Sequence, residues 1–75
     1  MRSNRVRVGD IVYTVDYGQN KLKAWRCIGR FEINNSSYIR VDEGRKTRSL
    51  PEEDVYATEK EAQLVLDDFR KQLFL

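Results

Sequence analysis

The chemistry for which this chain is best equipped is the binding of anions by basic side chains. Residues 1–50 hold 11 of the 14 Lys and Arg residues but only five of the 12 Asp and Glu residues. Residues 51–75 reverse this balance, with three basic and seven acidic residues. Such an asymmetry favours an anionic partner for the first part of the chain. The alternative is that the two parts pack together and compensate each other's charge.

Tyrosines interleave with these basic residues, as is typical of surfaces on which nucleobases stack beside phosphates. This nucleic-acid hypothesis requires that Arg26, Arg30 and Arg40 share the outer face of neighbouring strands. The alternative is that Arg40 and Asp42 pair with Glu32 and Arg30 across two strands. The sequence pI of about 8.8 is also lower than that of dedicated nucleic-acid modules. The candidate contacts for a nucleic acid or another partner are Arg5, Arg7, Tyr17, Lys21, Lys23, Arg26, Arg30, Tyr38, Arg40, Arg45, Lys46 and Arg48.

Protein–protein interaction is the first hypothesis for function, and nucleic-acid binding is its alternative. A small adaptor or modulator would dock on its partner through an edge strand or through a groove near Trp25 and the tyrosines. A half-exposed Trp25 favours this hypothesis, whereas a Trp25 buried with Phe31 and Phe69 disfavours it. The residues of a second possible interaction face are Glu52, Glu53, Asp54, Leu64, Asp68 and Leu75. The sequence leaves the oligomeric state open.

Catalytic and metal-binding groups are scarce in this sequence. It has no histidine, which is the commonest general base and the commonest metal ligand. The single cysteine, Cys27, falls on a predicted core face, which is typical of a structural thiol. Asp67 and Asp68 are adjacent on a predicted helix, so their side chains diverge. We therefore expect a protein that is not an enzyme and that has no metal or cofactor.

The composition is that of one small soluble domain. Apolar residues make up 40% of the chain and charged residues 35%, which suits a compact core under a charged surface. One cysteine cannot form an internal disulfide, and this favours a reducing cytoplasm. No apolar run approaches the roughly 20 residues of a membrane-spanning helix. We expect a cytoplasmic protein that does not engage membranes.

Short strands and one helix are predicted to position these residues. Residues 1–5 are expected to form a flexible tail, and 6–75 a single domain with a barrel over 6–57 and a helix over 58–74. Gly9 and Asp10 interrupt the first strand pattern and predict a bend. Thr58 and Glu61 form a capping box at the start of the helix. The predicted strands are 6–15, 22–33, 38–42, 46–50 and a minimal fifth at 55–56.

Alternation within these elements predicts which side chains face the core. In the long second strand the odd positions from 25 to 33 are apolar or small, so this face is expected to point inward throughout. Spacings of three and four place an apolar stripe on one side of the helix. The predicted core residues are Val8, Val12, Trp25, Cys27, Phe31, Ile39, Val41, Leu50, Val55, Leu66, Phe69 and Leu73.

This organisation resembles a small SH3-like barrel of four or five antiparallel strands, packed by a C-terminal helix. The opening V-G-D-I-V-Y, residues 8–13, is similar to the first strand of many such barrels. The ending V-Y-A-T-E-K-E-A, residues 55–62, resembles the strand-to-helix junction of small uncharacterised proteins from bacteria and their phages. The resemblance implies a mainly β fold with one helix. It implies no catalytic residue.

Overall fold

The computed structural model describes residues 6–73 and is mainly β, as the strand patterns predict. Four antiparallel strands form one sheet in chain order, and a helix follows them. The strands are joined by short turns, so the sheet is a simple meander. The elements are β1 (Ile11–Asp16), β2 (Lys21–Ile33), β3 (Ser36–Glu43), β4 (Lys46–Pro51), a 3₁₀ turn (Glu52–Asp54) and α1 (Glu59–Leu73).

The turns lie where their sequences predict them, because residues that tolerate positive φ stand at each one. Asn34 and Asn35 join β2 to β3 with φ angles of 51° and 67°. Such a two-residue turn matches the right-handed twist of the strands that it joins. Gly44, with φ of 75°, begins the equally short turn between β3 and β4. These local choices fix the register of both hairpins.

A β-bulge in β2 changes which side chains face the core. Cys27 lies opposite Val41, but beyond the bulge Arg30 lies opposite Ile39 and Phe31 opposite Tyr38. One extra residue between Cys27 and Gly29 shifts the side-chain alternation by one. The prediction of one continuous inward odd face is therefore wrong beyond the bulge. Phe31 lies on the sheet face opposite to that of Cys27, and it is only half-buried.

The core lies on the face of the sheet that carries Val12 and Val41. Its fully buried cluster is Val12, Cys27, Ile39, Val41 and Val55, with Val6, Trp25 and Leu50 packed against it. All of these except Val6 belong to the predicted core. Two other predicted members are wrong, since Val8 is 71% and Leu73 59% exposed. Val8 stands in a turn that Gly9 completes at φ 98°, and Leu73 is the last residue of α1.

Helix α1 packs on β1 and β2 through Ala62 and Leu66, which are both buried. The predicted cap is present, because the Glu61 backbone N–H donates to Thr58 Oγ1 at 3.2 Å. The Thr58 hydroxyl in turn donates to the Glu61 carboxylate at 3.1 Å. Near the other end, Arg70 Nε donates to Asn20 Oδ1 at 2.9 Å. The helix is thereby tied to the turn between β1 and β2.

The sheet is not closed into a barrel. The predicted fifth strand at 55–56 is a single bridge, in which Tyr13 and Tyr56 exchange backbone hydrogen bonds of 2.9 and 2.8 Å. The first strand begins only at Ile11, although Gly9 N–H still donates to the Cys27 carbonyl at 2.7 Å. The predicted tail 1–5 and the end of the predicted helix at residue 74 lie outside the described residues. Within residues 6–73, no helix is long and apolar enough to cross a membrane.

Candidate functional site

A groove of about 490 Å³ lies between the first and last parts of the sheet. Residues from β1 and β2 form one side of it, and residues from β4 and the 3₁₀ turn form the other. Strands at opposite ends of the sheet line a common groove because the sheet curls strongly about β2 and β3. The lining residues are Thr14, Val15, Asp16, Tyr17, Gly18, Lys23, Trp25, Arg48, Leu50, Pro51, Asp54 and Tyr56.

Trp25 is the largest side chain of this groove and is half-buried. Its indole Nε1–H donates to Thr14 Oγ1 at 2.9 Å, which satisfies the polar end of the ring. The Arg48 guanidinium and the Lys23 ammonium lie 5.7 and 5.8 Å from the ring centroid, within the range of cation–π attraction. The hydrogen bond and the packing of Trp25 against the core hold the indole in place before any ligand arrives.

Tyr17 and Tyr56 add two phenol rings to the groove, close to the Asp54 carboxylate. Burial raises the pKa of the Tyr17 phenol above its ordinary value, and the electrostatic influence of Tyr56 and Asp54 raises it further. Tyr17 is 50% exposed, and its ring meets Phe69 edge to face at 4.7 Å. At neutral pH its hydroxyl is therefore protonated and available as a hydrogen-bond donor.

Acidic and basic side chains both line the groove, and its two basic residues, Lys23 and Arg48, each lie in an ion pair. Lys23 approaches Asp16 at 3.7 Å, and Arg48 approaches Glu43 at 3.1 Å. All four side chains are partly exposed, so each pair stabilises the fold by only about 0–1 kcal/mol. An aromatic centre with charged side chains at the rim is a composition found at protein-binding surfaces.

The predicted basic stripe is interrupted. Arg26 and Arg40 lie on one face of the sheet, but the bulge places Arg30 on the other. The Arg30 guanidinium there contacts the Glu52 carboxylate at 2.7 Å. Arg26 instead contacts Asp42 at 3.0 Å, so the alternative pairing of Asp42 with Arg30 is not present. The continuous basic stripe of three arginines is not present either. The prediction that all three arginines share an outer face is wrong as to Arg30.

Two predicted contacts, Tyr38 and Arg40, form a stacked cluster with Phe31, which the sequence does not predict at this face. Phe31 and Tyr38 stack with ring centroids 5.3 Å apart and planes 17° apart. The Arg40 guanidinium lies 5.0 Å from the Phe31 centroid. The strand alternation predicts Phe31 in the core, and only the bulge brings it to this face. We call Phe31, Tyr38 and Arg40 the stacked cluster.

The remaining predicted contacts are scattered over the surface. Arg7, Lys21, Arg45 and Lys46 are exposed, and Arg5 lies outside the described residues. On the second predicted face, Glu52 is engaged by Arg30, while Glu53 and Asp54 are exposed. Leu64 is 62% exposed on α1, and Asp68 accepts a hydrogen bond from Gln72 at 3.4 Å. Leu75 lies outside the described residues.

Groups for metal or thiol chemistry do not come together in the described part of the chain. Residues 6–73 contain no group of three or more Cys, Asp or Glu side chains placed to hold a metal ion. Cys27 is buried, and its thiol donates to the Gly29 carbonyl at 3.5 Å. Comparisons with family models, curated proteins and solved structures found no match to this chain.

Proposed function

We propose that this protein is a non-enzymatic binding module, an adaptor or modulator, whose groove at Trp25 holds a segment of a partner protein. The half-buried state of Trp25 is the single observation that carries this proposal. Trp25 packs against the core but is not fully buried, so it lies between the two conditions stated for this residue. A fixed and partly exposed indole supports the proposal, because such side chains are the anchors that dominate protein interfaces.

The size and lining of the groove support the proposal. Its volume of about 490 Å³ is within the range of ordinary ligand pockets, which is roughly 300–1,000 Å³. Leu50 and Pro51 add apolar surface to the three aromatic side chains. Aromatic rings give a large contact area at a low cost in side-chain entropy, since each ring has only two rotatable bonds.

We further propose that the architecture is a small SH3-like barrel in which the fifth strand is shortened to a single bridge. The Tyr13–Tyr56 bridge stands where a fifth strand would pair with β1. The free thiol of Cys27 suits a reducing compartment, and we propose the cytoplasm, in a bacterial or phage setting, as the place of action.

Trp25 is the only tryptophan of the chain, so its fluorescence reports on the groove directly. Peptides are selected from a random library displayed on phage and are then titrated against the protein while Trp25 emission is followed. We expect binding to shift the emission, and we expect Tyr17→Ala to weaken binding about tenfold or more. Leu64→Ala, which changes an exposed side chain on α1, is the matched control and leaves the affinity unchanged.

Selected peptides that bind without changing Trp25 emission, and equally well to Tyr17→Ala, would show that the groove is not the site. Because Tyr17 also touches Phe69, thermal unfolding of the variant is measured in parallel. Pro51→Ala changes the groove without touching that contact and serves as the second variant.

Nucleic-acid binding is the second candidate, and the stacked cluster is the observation that favours it. A guanidinium and two rings on one sheet face resemble the platforms on which single strands stack. Fluorescein-labelled single- and double-stranded DNA and RNA are titrated at about 50 and 200 mM salt, where phosphate-driven binding weakens by orders of magnitude. Salt-sensitive binding that Arg40→Gln reduces would promote this function. No binding at the lower salt concentration would exclude it.

A further inference from the structure

We propose that the partner segment enters as an added strand along β4, with acidic side chains beside Arg48 and Lys46. This inference rests on the proposed function, because it states how a segment reaches the groove and which chemistry it carries. Among residues 6–73, β4 is the last strand of the sheet and pairs only with β3. The opposite edge is partly occupied, since Tyr56 pairs there with Tyr13.

The backbone of β4 offers a short row of groups for such a strand. Glu43 and Lys46 flank a two-residue turn and form the first pair of the hairpin. Pairs in an antiparallel ladder alternate between hydrogen-bonded and non-hydrogen-bonded, and a two-residue turn is closed by a hydrogen-bonded pair. Thr47 and Ser49 therefore direct their N–H and C=O groups away from β3. Pro51, which has no N–H, ends the row of donors.

The basic residues of the β3–β4 hairpin indicate whether the added strand comes from a second copy of this chain or from a different protein. The turn and β4 carry three basic residues, Arg45, Lys46 and Arg48. Of the hairpin's two acidic residues, Glu43 lies 3.1 Å from Arg48, and Asp42 is engaged by Arg26. Two copies joined along β4 would bring these cations together, which is how basic residues protect an edge strand. An acidic strand instead meets opposite charge directly across the ladder. The occupant that fits is an acidic, extended segment of another protein.

The groove continues from this edge. Lys46, Arg48 and Leu50 alternate along β4 with Thr47 and Ser49, so they share the inner face. Arg48 lies over the Trp25 ring, and Leu50 lines the groove with it. A side chain opposite Arg48 or Leu50 in an added strand thus stands at the mouth of the groove. An acidic residue suits the first position, and an apolar residue suits the second.

The probe is a peptide acetylated at its N-terminus and amidated at its C-terminus, Thr-Val-Thr-Glu-Thr-Glu-Thr. In antiparallel pairing its valine faces Leu50 and its first glutamate faces Arg48. We expect the amide resonances of Thr47 and Ser49 to move downfield in ¹⁵N-edited NMR spectra, and Trp25 emission to change with the same affinity. Replacing both glutamates by lysines is expected to abolish binding. No change at Thr47 and Ser49 at millimolar peptide would refute the inference.

Backbone methylation tests strand addition without altering the protein. N-methyl groups on the two threonines that face Ser49 and Thr47 remove the required donors, and we expect about tenfold weaker binding or worse. The same methyl groups on the two glutamates, whose N–H groups point away from β4, leave the composition unchanged and serve as the matched control. Equal affinity of the two methylated peptides would overturn the inference.

Protein variants separate this inference from the proposed function. Ser49→Pro removes one outward N–H and is expected to weaken the probe peptide about tenfold, whereas Ser49→Ala retains the N–H and has no effect. If Tyr17→Ala impairs binding of peptides selected on the groove but Ser49→Pro does not affect the probe, the groove functions without strand addition. If neither change affects any ligand, the proposed function fails as well.

Discussion

Leu66 and Leu64 provide a matched pair of substitutions that tests the packing of α1. They lie two residues apart on one helix, but Leu66 is 1% exposed and Leu64 is 62% exposed. Leu66→Ala removes three carbon atoms from a buried site, at about 0.8 kcal/mol each, or about 2.4 kcal/mol in all. The cavity that remains brings the expected loss to about 3–4 kcal/mol, within the range of about 2–5 kcal/mol for buried leucines.

A loss of this size is large for a domain of 75 residues. At about 0.05–0.15 kcal/mol per residue, the whole free energy of unfolding is about 4–11 kcal/mol. The melting temperature should fall by about 4–8 °C for each kcal/mol lost. Urea unfolding followed by Trp25 fluorescence and by far-UV circular dichroism measures the free energy. Leu64→Ala should stay within about 0.5 kcal/mol of the unaltered protein, and equal losses in the two variants would show that the helix face is misassigned.

Three further predictions concern a turn, an ion pair and a titration. Asn35→Ala should cost about 1 kcal/mol in thermal unfolding because Asn35 has φ of 67°, whereas Asn35→Gly should cost nothing; equal effects would contradict the turn geometry. A double-mutant cycle on Arg30 and Glu52 should give a coupling of about 1 kcal/mol or less, and Arg30→Glu should destabilise the fold by placing two carboxylates together. Since the raised Tyr17 pKa means that the folded state holds this proton more tightly, stability from Tyr17 is fully present below pH 10 and falls as pH rises from 10 through the folded pKa. Unfolding between pH 9 and 11 measures this slope, which Tyr17→Phe should reduce; an unchanged slope would refute the assignment.

Features encoded within a few adjacent residues could be predicted from the sequence. Asn34, Gly44 and the Thr58 cap each specify a local backbone conformation, and each lies where it was expected. The stripe on α1 is also local, because the helical period places Ala62 and Leu66 on the buried side. For such features, the side chain and the backbone that it shapes are neighbours in the chain.

The bulge could not be predicted in the same way. Gly29 signals a bend, but it does not say whether a residue is inserted into the ladder there. With or without a bulge, an apolar residue can face the core on each side of Gly29, since Cys27 precedes it and Phe31 follows it. Hydrophobicity alone therefore does not reveal the bulge. The choice depends on cross-strand partners in β3, which lie about ten residues further along the chain. One unpredicted residue thus exchanged the faces of Arg30 and Phe31.

The groove could be predicted in part, since the candidate contacts Tyr17, Lys23 and Arg48 all line it. Trp25 and the tyrosines mark it in the sequence, whereas Thr14, Leu50 and Pro51 carry no signal of their own. They meet Trp25 because the curled sheet brings β4 opposite β1 and β2. For Tyr56, the sequence signal is the predicted minimal fifth strand at 55–56, which would close a barrel.

The same contacts that stabilise the fold also shape the groove before a ligand binds. Thr14 fixes the Trp25 indole, and the bridge to Tyr13 fixes Tyr56 on the opposite side. The Arg30–Glu52 pair ties β2, just after the bulge, to the 3₁₀ turn that carries Asp54. Under the proposed function, a site organised in this way loses little side-chain freedom on binding, so more of the contact energy appears as affinity. β4 is the exception, because within residues 6–73 only one of its edges is paired. In the proposed strand addition, an incoming strand supplies at this edge the backbone bonds that the described fold lacks.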